Sequence, residues 1–224
     1  MAGTTVDEDN VVYKTLQQAL ATQGFPLDLT TVLAIGAGQE KKMAIRDLLH
    51  HAGLTDPELQ EQTDQAYARF VPALEVAYRS LDVRPITGAV DIFTHLRQRG
   101  IRIALNTGYQ KATALGLLSQ LDWQEGREFD LLVTADMVDR ARPAPDMIEY
   151  AMHRLAVADP QRVAKIGDSA IDIEEGRNAN CGLVLGITTG AQTEAQLQPA
   201  RPDAVIHELS AIRHWLDPAD LPDT

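Results

Sequence analysis

The chain has 224 residues, 45% hydrophobic and 23% charged, with a formal net charge of −12 and a single cysteine. That is enough chain for one buried core, or a core with a smaller insert. The acidic balance argues against nucleic acid as a partner, no apolar run is long enough to span a membrane, and one cysteine without a partner fits a cytoplasmic setting.

Read in chain order, Gly3-Thr4-Thr5 is a tight, hydroxyl-rich turn of the kind that follows a strand. From about residue 11 to 82 the pattern is helical. The stretch "VVYKTLQQALATQG" spaces its apolar residues helically and stops at Gly24, and "QEKKMAIRDLLHHAG" does the same and stops at Gly53. A third, "DPELQEQTDQAYARFVPALEVAYRSL", opens at an Asp-Pro helix start. From about residue 86 short apolar runs alternate with helices. Strands are predicted at "IRIALNTG", "FDLLVTAD", "RVAKIGDS", "GLVLGITTG" and "DAVIHEL". Helices are predicted at "TGAVDIFTHLRQRG", "KATALGLLSQL", "APDMIEYAMHRLAV", "AIDIEEGRNAN" and "SAIRHWL". This alternation predicts an α/β fold with a parallel sheet covered on both faces. Such sheets bind ligands at the carboxyl ends of their strands.

Three predicted strand ends carry polar clusters. After "IRIAL" stand Asn106, Thr107 and Gly108. A hydroxyl beside a glycine at a helix start binds an anion, or simply caps the helix. After "DLLVTADMVD" comes "ARPAPDM", in which Pro143 and Pro145 fix the backbone beside Arg142. A guanidinium there pairs with phosphate oxygens, or lies on the surface. After "RVAKI" come Gly167, Asp168 and, four residues on, Asp172. That spacing brings two carboxylates to one point, which suits a hard cation such as Mg²⁺; the plain alternative is a helix cap and a first-turn acid. Together the clusters outline a phosphoryl-transfer site that lacks a nucleophile.

On these motifs the chain resembles the haloacid dehalogenase superfamily of aspartyl-phosphate hydrolases. It most resembles the phosphonatase branch, phosphonoacetaldehyde hydrolase and its phosphonatase-like relatives. The resemblance implies a Rossmann-like core over 1–10 and 83–224, a helical cap over 11–82, and Mg²⁺ as cofactor. In the superfamily the first strand ends Asp-x-Asp-Gly-Thr, and in the phosphonatase branch Asp-x-Ala-Gly-Thr; here the chain reads Met1-Ala2-Gly3-Thr4. The resemblance therefore implies a nucleophilic aspartate just before Met1, a first core strand missing from this chain, and a natural start upstream. Asp7 and Asp9 lie beyond the turn and are expected to lead into the cap. By the same resemblance Thr107 grips the phosphoryl group, Gly3, Thr4, Asn106 and Gly108 contact the substrate, and Arg142 replaces the usual lysine. Mg²⁺ is implied at Asp168, Asp172 and the Ala2 carbonyl.

Ala2 cannot act as the general acid that a second aspartate supplies in ordinary phosphatases of this type. Phosphonatase instead forms an imine between a cap lysine and its aldehyde substrate, and the iminium accepts the electrons of the broken carbon–phosphorus bond. The matching residue is Lys41. Helical phase places Lys41 on one stripe with Ile45, Leu48 and Leu49, and Lys42, Arg46 and His50 on another. A lysine on the apolar stripe is desolvated and its pKa lowered, unless its stem snorkels to water. The phosphonatase histidine three residues after the lysine and methionine four before it are Ala44 and Ala37 here. Another small phosphonate, or a phosphate ester, therefore fits at least as well as phosphonoacetaldehyde. The competing expectation is a non-catalytic phosphate-binding or regulatory protein, since the chain as given has no nucleophile at the usual position. A homodimer through cap helices follows from the resemblance alone. The six histidines show no metal-ligand spacing, Cys181 is expected to be buried rather than reactive, and the acidic tail "DPADLPDT" to be solvated and mobile.

Overall fold

The computed structural model describes residues 1–79 and 81–216; the tail predicted to be mobile lies outside the described residues. A two-residue ladder pairs β1 (Val6–Asp7) antiparallel with β2 (Arg84–Pro85), Val6 opposite Pro85. It ties the chain's entry into the helical segment to its exit. Asp9 and Asn10 follow in the left-handed region, at φ 50° and 52°, which Asp and Asn tolerate better than most residues.

Four helices follow: α1 (Val11–Thr22), α2 (Leu29–Gly36), α3 (Lys41–His51) and α4 (Glu58–Arg79). Asp28 caps α2 by accepting the Thr31 N–H at 2.7 Å, and Glu40 caps α3 by accepting the Met43 N–H at 3.0 Å. Helices α1 and α3 both pack on α4, and α2 packs on α1 and α3. The predicted stripe of α3 faces inward, with Lys41, Ile45, Leu48 and Leu49 buried while Lys42 and His50 are exposed.

The second half runs α5 (Ala89–Gln98), β3 (Ala104–Thr107), α6 (Lys111–Gln120), β4 (Leu131–Thr134), α7 (Asp146–Arg154), β5 (Ala164–Gly167), α8 (Ala170–Asn178), β6 (Leu183–Ile187), α9 (Glu194–Leu197), β7 (Ala204–Ile206) and α10 (Arg213–Leu216). All of its strand pairs are parallel, as the alternation predicts. The single sheet, however, is divided. Strand β3 pairs with β4, Leu105 opposite Leu132, and β5, β6 and β7 form a separate sheet. Between them lies a cavity of about 500 Å³, lined by Leu105 and Asn106 of β3, Lys165 and Ile166 of β5, and Met1. Among the described residues no backbone ladder joins β3 to β5. Cys181 is a buried free thiol, and burial pushes it up to about 11. No helix among the described residues is long and apolar enough to cross a membrane.

Candidate active site

The carboxyl ends of β3 and β5 lie where the sequence places chemistry. Asp168 directly follows β5, and Asp172 sits in the first turn of α8. Asp168 Oδ1 accepts from the Thr4 hydroxyl at 3.0 Å, and Oδ2 from the Ala191 N–H at 2.8 Å. Gly3, at φ +74°, lies against this carboxylate, and a Cβ there would come within 2.2 Å of Oδ2. Only glycine satisfies both the turn and the approach. Burial, and then the charge of Asp172, raise the Asp168 carboxyl above its ordinary range.

Asp172 is the hub of a buried charge network. Its Oδ1 accepts from Arg142 Nη1 and lies 2.9 Å from Lys165 Nζ, and its Oδ2 accepts from the Ser169 hydroxyl at 2.5 Å. Burial would push this carboxyl up, but Arg142 and Lys165 hold it well below its ordinary range. Lys165 Nζ also donates to Glu175 Oε2 at 2.6 Å and Asn106 Oδ1 at 2.9 Å. The Asn106 amide in turn donates to both Glu175 oxygens, at 3.0 and 2.9 Å. The side chain of Asn106 thus serves the network, while its backbone carbonyl accepts from the Met1 amino group at 3.3 Å. Arg142 Nε is buried without a hydrogen-bond partner.

The remaining predicted residues close the floor. Thr107 is buried, and its oxygen accepts the Tyr109 N–H at 3.2 Å, which leaves the hydroxyl proton to donate. The Met1 carbonyl gathers the N–H groups of Thr4, Thr5 and Val6 at 3.2, 2.8 and 3.1 Å, which fixes the predicted turn. Ala2 lies in that turn, bridged to Val6. Asp7 and Asp9 are exposed and lead into α1, where Asp9 pairs with Lys14 at 2.8 Å.

The loop between α2 and α3 covers this floor. A Cβ on Gly108 would lie 3.0 Å from the Gln39 carbonyl oxygen, and one on Gly38 would lie 2.2 Å from Ile171 and 2.3 Å from the Ser169 hydroxyl. The missing side chains let the helical segment touch both strand-end loops. Beside this loop Lys41 is 6% exposed, so its stem does not snorkel. Its Nζ donates to the Gln39 carbonyl at 2.8 Å and stands 4.9 Å from the Tyr13 ring centre and 5.5 Å from that of Tyr109. The Tyr13 oxygen accepts the Gly38 N–H at 3.1 Å. Burial, and then the positive charge of Arg142, lower the Lys41 amine to about 8.

Glu8, Tyr13, Tyr109, Lys165 and Glu175 belong to this site but were not singled out by sequence reasoning. A lysine interrupting the apolar run "RVAKIG" was a usable signal for Lys165, and the three-residue step from Asp172 was one for Glu175. Glu8 gave none, because it sits in "VDED" between two exposed acids and yet is buried.

Among the described residues no group of three or more His, Cys, Asp or Glu is placed to hold a metal. The pair Asp168 and Asp172 nevertheless suits a hard cation. Asp172 raises the Asp168 carboxyl, a repulsion that a cation would relieve, and Asp168 accepts from neutral donors that a cation could join.

The family model described as haloacid dehalogenase-like hydrolase matches residues 1–185. A phosphonoacetaldehyde hydrolase from Latilactobacillus sakei is 35% identical over 150 residues, which cover 57% of this chain and 56% of that protein. One from Bacteroides fragilis is 31% identical over 194 residues, covering 80% of this chain and 71% of that protein. The chain thus spans little more than half of the first relative's length. A phosphonoacetaldehyde hydrolase-like protein from Oleispira antarctica has the same fold, with TM-score 0.82, 22% identity, and coverage of 96% of this chain and 88% of that one.

Proposed function

The chain belongs to the haloacid dehalogenase-like hydrolases, and from that premise we propose that it is a Mg²⁺-dependent, phosphonatase-like hydrolase of a small phosphonate or phosphate ester, working through an aspartyl phosphate in the cytoplasm. The observation that carries this is the buried grouping of Asp168, Asp172 and Arg142 beneath the loop that leads to a buried Lys41. Residues 11–82 act as the cap, and 1–10 with 83–224 as the core.

Bound Mg²⁺ would neutralise charge on the phosphoryl oxygens. Asp168, with Asp172 and the Ala2 carbonyl, would hold it. The Thr107 hydroxyl and the turn at Gly3 and Thr4 orient the phosphoryl group, and the Gly108 backbone leaves room for the cap loop above it. Arg142 supplies fixed positive charge, locked by Asp172, with its Nε still free to donate. Lys41, facing the aldehyde of a phosphonate, forms the imine that draws electrons from the carbon–phosphorus bond.

The test is phosphate release by the full-length protein, using phosphonoacetaldehyde and a panel of phosphate esters. Release should need Mg²⁺, and Asp168→Ala should reduce it by about 10³-fold, the scale of several kcal/mol of charge stabilisation. Turnover that survives chelation, or survives Asp168→Ala, would contradict the proposal.

A further inference from the structure

We propose that Asn106 is a positioning residue: its amide clamps the end of β3 to the Lys165–Glu175 pair, and so holds the Thr107 hydroxyl in place against Asp172 and Arg142. This deepens the hydrolase reading above and rests on it. The resemblance seen in the sequence gives Asn106 to the substrate, but the side chain is engaged at both ends. Oδ1 accepts from Lys165 Nζ at 2.9 Å, and Nδ2 donates to the two Glu175 oxygens at 3.0 and 2.9 Å. Charge fixes this orientation, since the amide oxygen faces an ammonium and the amide nitrogen a carboxylate. Glu175 is 0% exposed and Lys165 6%, so the groups that hold the amide are sealed from solvent.

The place of the clamp gives it its effect. On one side β3 is held by its ladder to β4, with Asn106 opposite Val133. The Asn106 side chain reaches the other way, to Lys165 of β5 and Glu175 of α8, which are 59 and 69 residues distant in sequence. From there the contacts continue. Lys165 Nζ lies 2.9 Å from Asp172 Oδ1, the same oxygen that accepts from Arg142. Thr107 directly follows Asn106 and closes β3, and Asp168 directly follows β5. One clamp therefore fixes the end of β3, the end of β5 and the Arg142 side chain relative to one another. A shift of the Asn106 backbone carries the Thr107 hydroxyl with it, and a misplacement of about 1 Å costs about 10²-fold in rate.

The pairing can be inverted without changing its charge. In Asn106→Asp the new carboxylate meets that of Glu175, and repulsion replaces a hydrogen bond. In Glu175→Gln two amides meet, and Lys165 and Arg142 lose a counter-ion. Combined, the two substitutions again set an amide against a carboxylate. The net charge is that of the wild type, and Lys165 keeps an acceptor on each side.

The measurement is phosphate release by the full-length protein, with kcat and KM taken separately at a temperature where urea unfolding shows the variants folded. Asn106→Asp should lower kcat by about 10²-fold and leave KM within about 3-fold. Glu175→Gln should lower kcat by about 10-fold. The double variant should return to within about 10-fold of wild type, where independent effects would multiply to a loss of about 10³-fold. A residue that only stabilises the fold would leave the kcat of folded variants unchanged. One that touches the substrate would raise KM, and the double variant would not recover, because its carboxylate would still face the phosphoryl group. Either result overturns the positioning role and leaves the hydrolase standing. Where a charged variant does not fold, Asn106→Ala, which removes the clamp without adding charge, decides: a kcat equal to wild type overturns the proposal. A wild-type protein that releases no phosphate from phosphonoacetaldehyde or the ester panel overturns the hydrolase reading and this inference with it.

Discussion

Two clusters of ionisable groups are buried among the described residues, and burial acts on them with opposite results. In the core cluster Arg142, Lys165, Asp172 and Glu175 stand in direct contact with opposite charges. Burial opposes their charge, but the neighbours win: Asp172 is held below its ordinary range, and Arg142 and Lys165 above theirs. In the second cluster Glu8 and Lys41 form no ion pair among the described residues, and burial wins: the acid is pushed up and the amine down, toward neutrality. Paired charges fix geometry. Unpaired ones come to rest near neutral pH, where protons move.

The largest expected effect comes from breaking a pair. Lys165→Met leaves Glu175 and Asp172 sharing the charge of Arg142, with Asn106 Oδ1 short of a donor. Removing one partner of a buried pair costs about 3–5 kcal/mol, which urea unfolding will measure. Adding Glu175→Leu to that variant should recover part of the loss, since a buried pair replaced by apolar groups is often near neutral. A second substitution that only deepens the loss would mean the network stabilises beyond its charge balance.

Glu8→Gln should move stability the other way, and only where Glu8 would be charged. Its folded value of about 8 lies above the ordinary 4.5, so its contribution is fully present below 4.5 and is lost as the pH rises through 8. The variant's advantage should therefore open between pH 4.5 and 8 and level off above. A shift of that size is worth at most ~5 kcal/mol, and entry of water into the pocket reduces this to ~3 kcal/mol. Melting temperatures across this range give the answer, and an advantage that ignores pH would remove Glu8 from the unpaired class.

How much of this was legible in the sequence follows the same division. The alternation after residue 86 located the five parallel strands, and helical phase alone put Lys41 on the buried stripe of α3. Asp168, Asp172, Arg142 and Thr107 stand out as candidates because strand ends and turn chemistry mark them locally. Two things were not legible. The engagement of Asn106 depends on Glu175, 69 residues away. The burial of Glu8 depends on the closure of the helices around it, because neighbouring Asp7 and Asp9 are of the same chemical kind and stay exposed.

The smallest expected effect bears most directly on the unpaired cluster. Lys41→Met keeps an unbranched side chain against Tyr13 and Tyr109, where a thioether sulfur packs well on rings, and removes the charge. The amine's folded value of about 8 lies below its ordinary 10.5, so the unfolded chain binds the proton more tightly. Wild-type stability should then rise as the pH climbs from 8 to 10.5, and the full penalty is present below 8. The variant should be more stable than wild type by ~2 kcal/mol at pH 7, after allowance for the lost ring contacts and the Gln39 hydrogen bond. Its advantage should shrink toward pH 10. A variant less stable than wild type at pH 7 would show that the rings and the carbonyl hold the ammonium better than water does. Lys41 would then belong with the paired charges of the core, and its amine would not be free to attack a carbonyl.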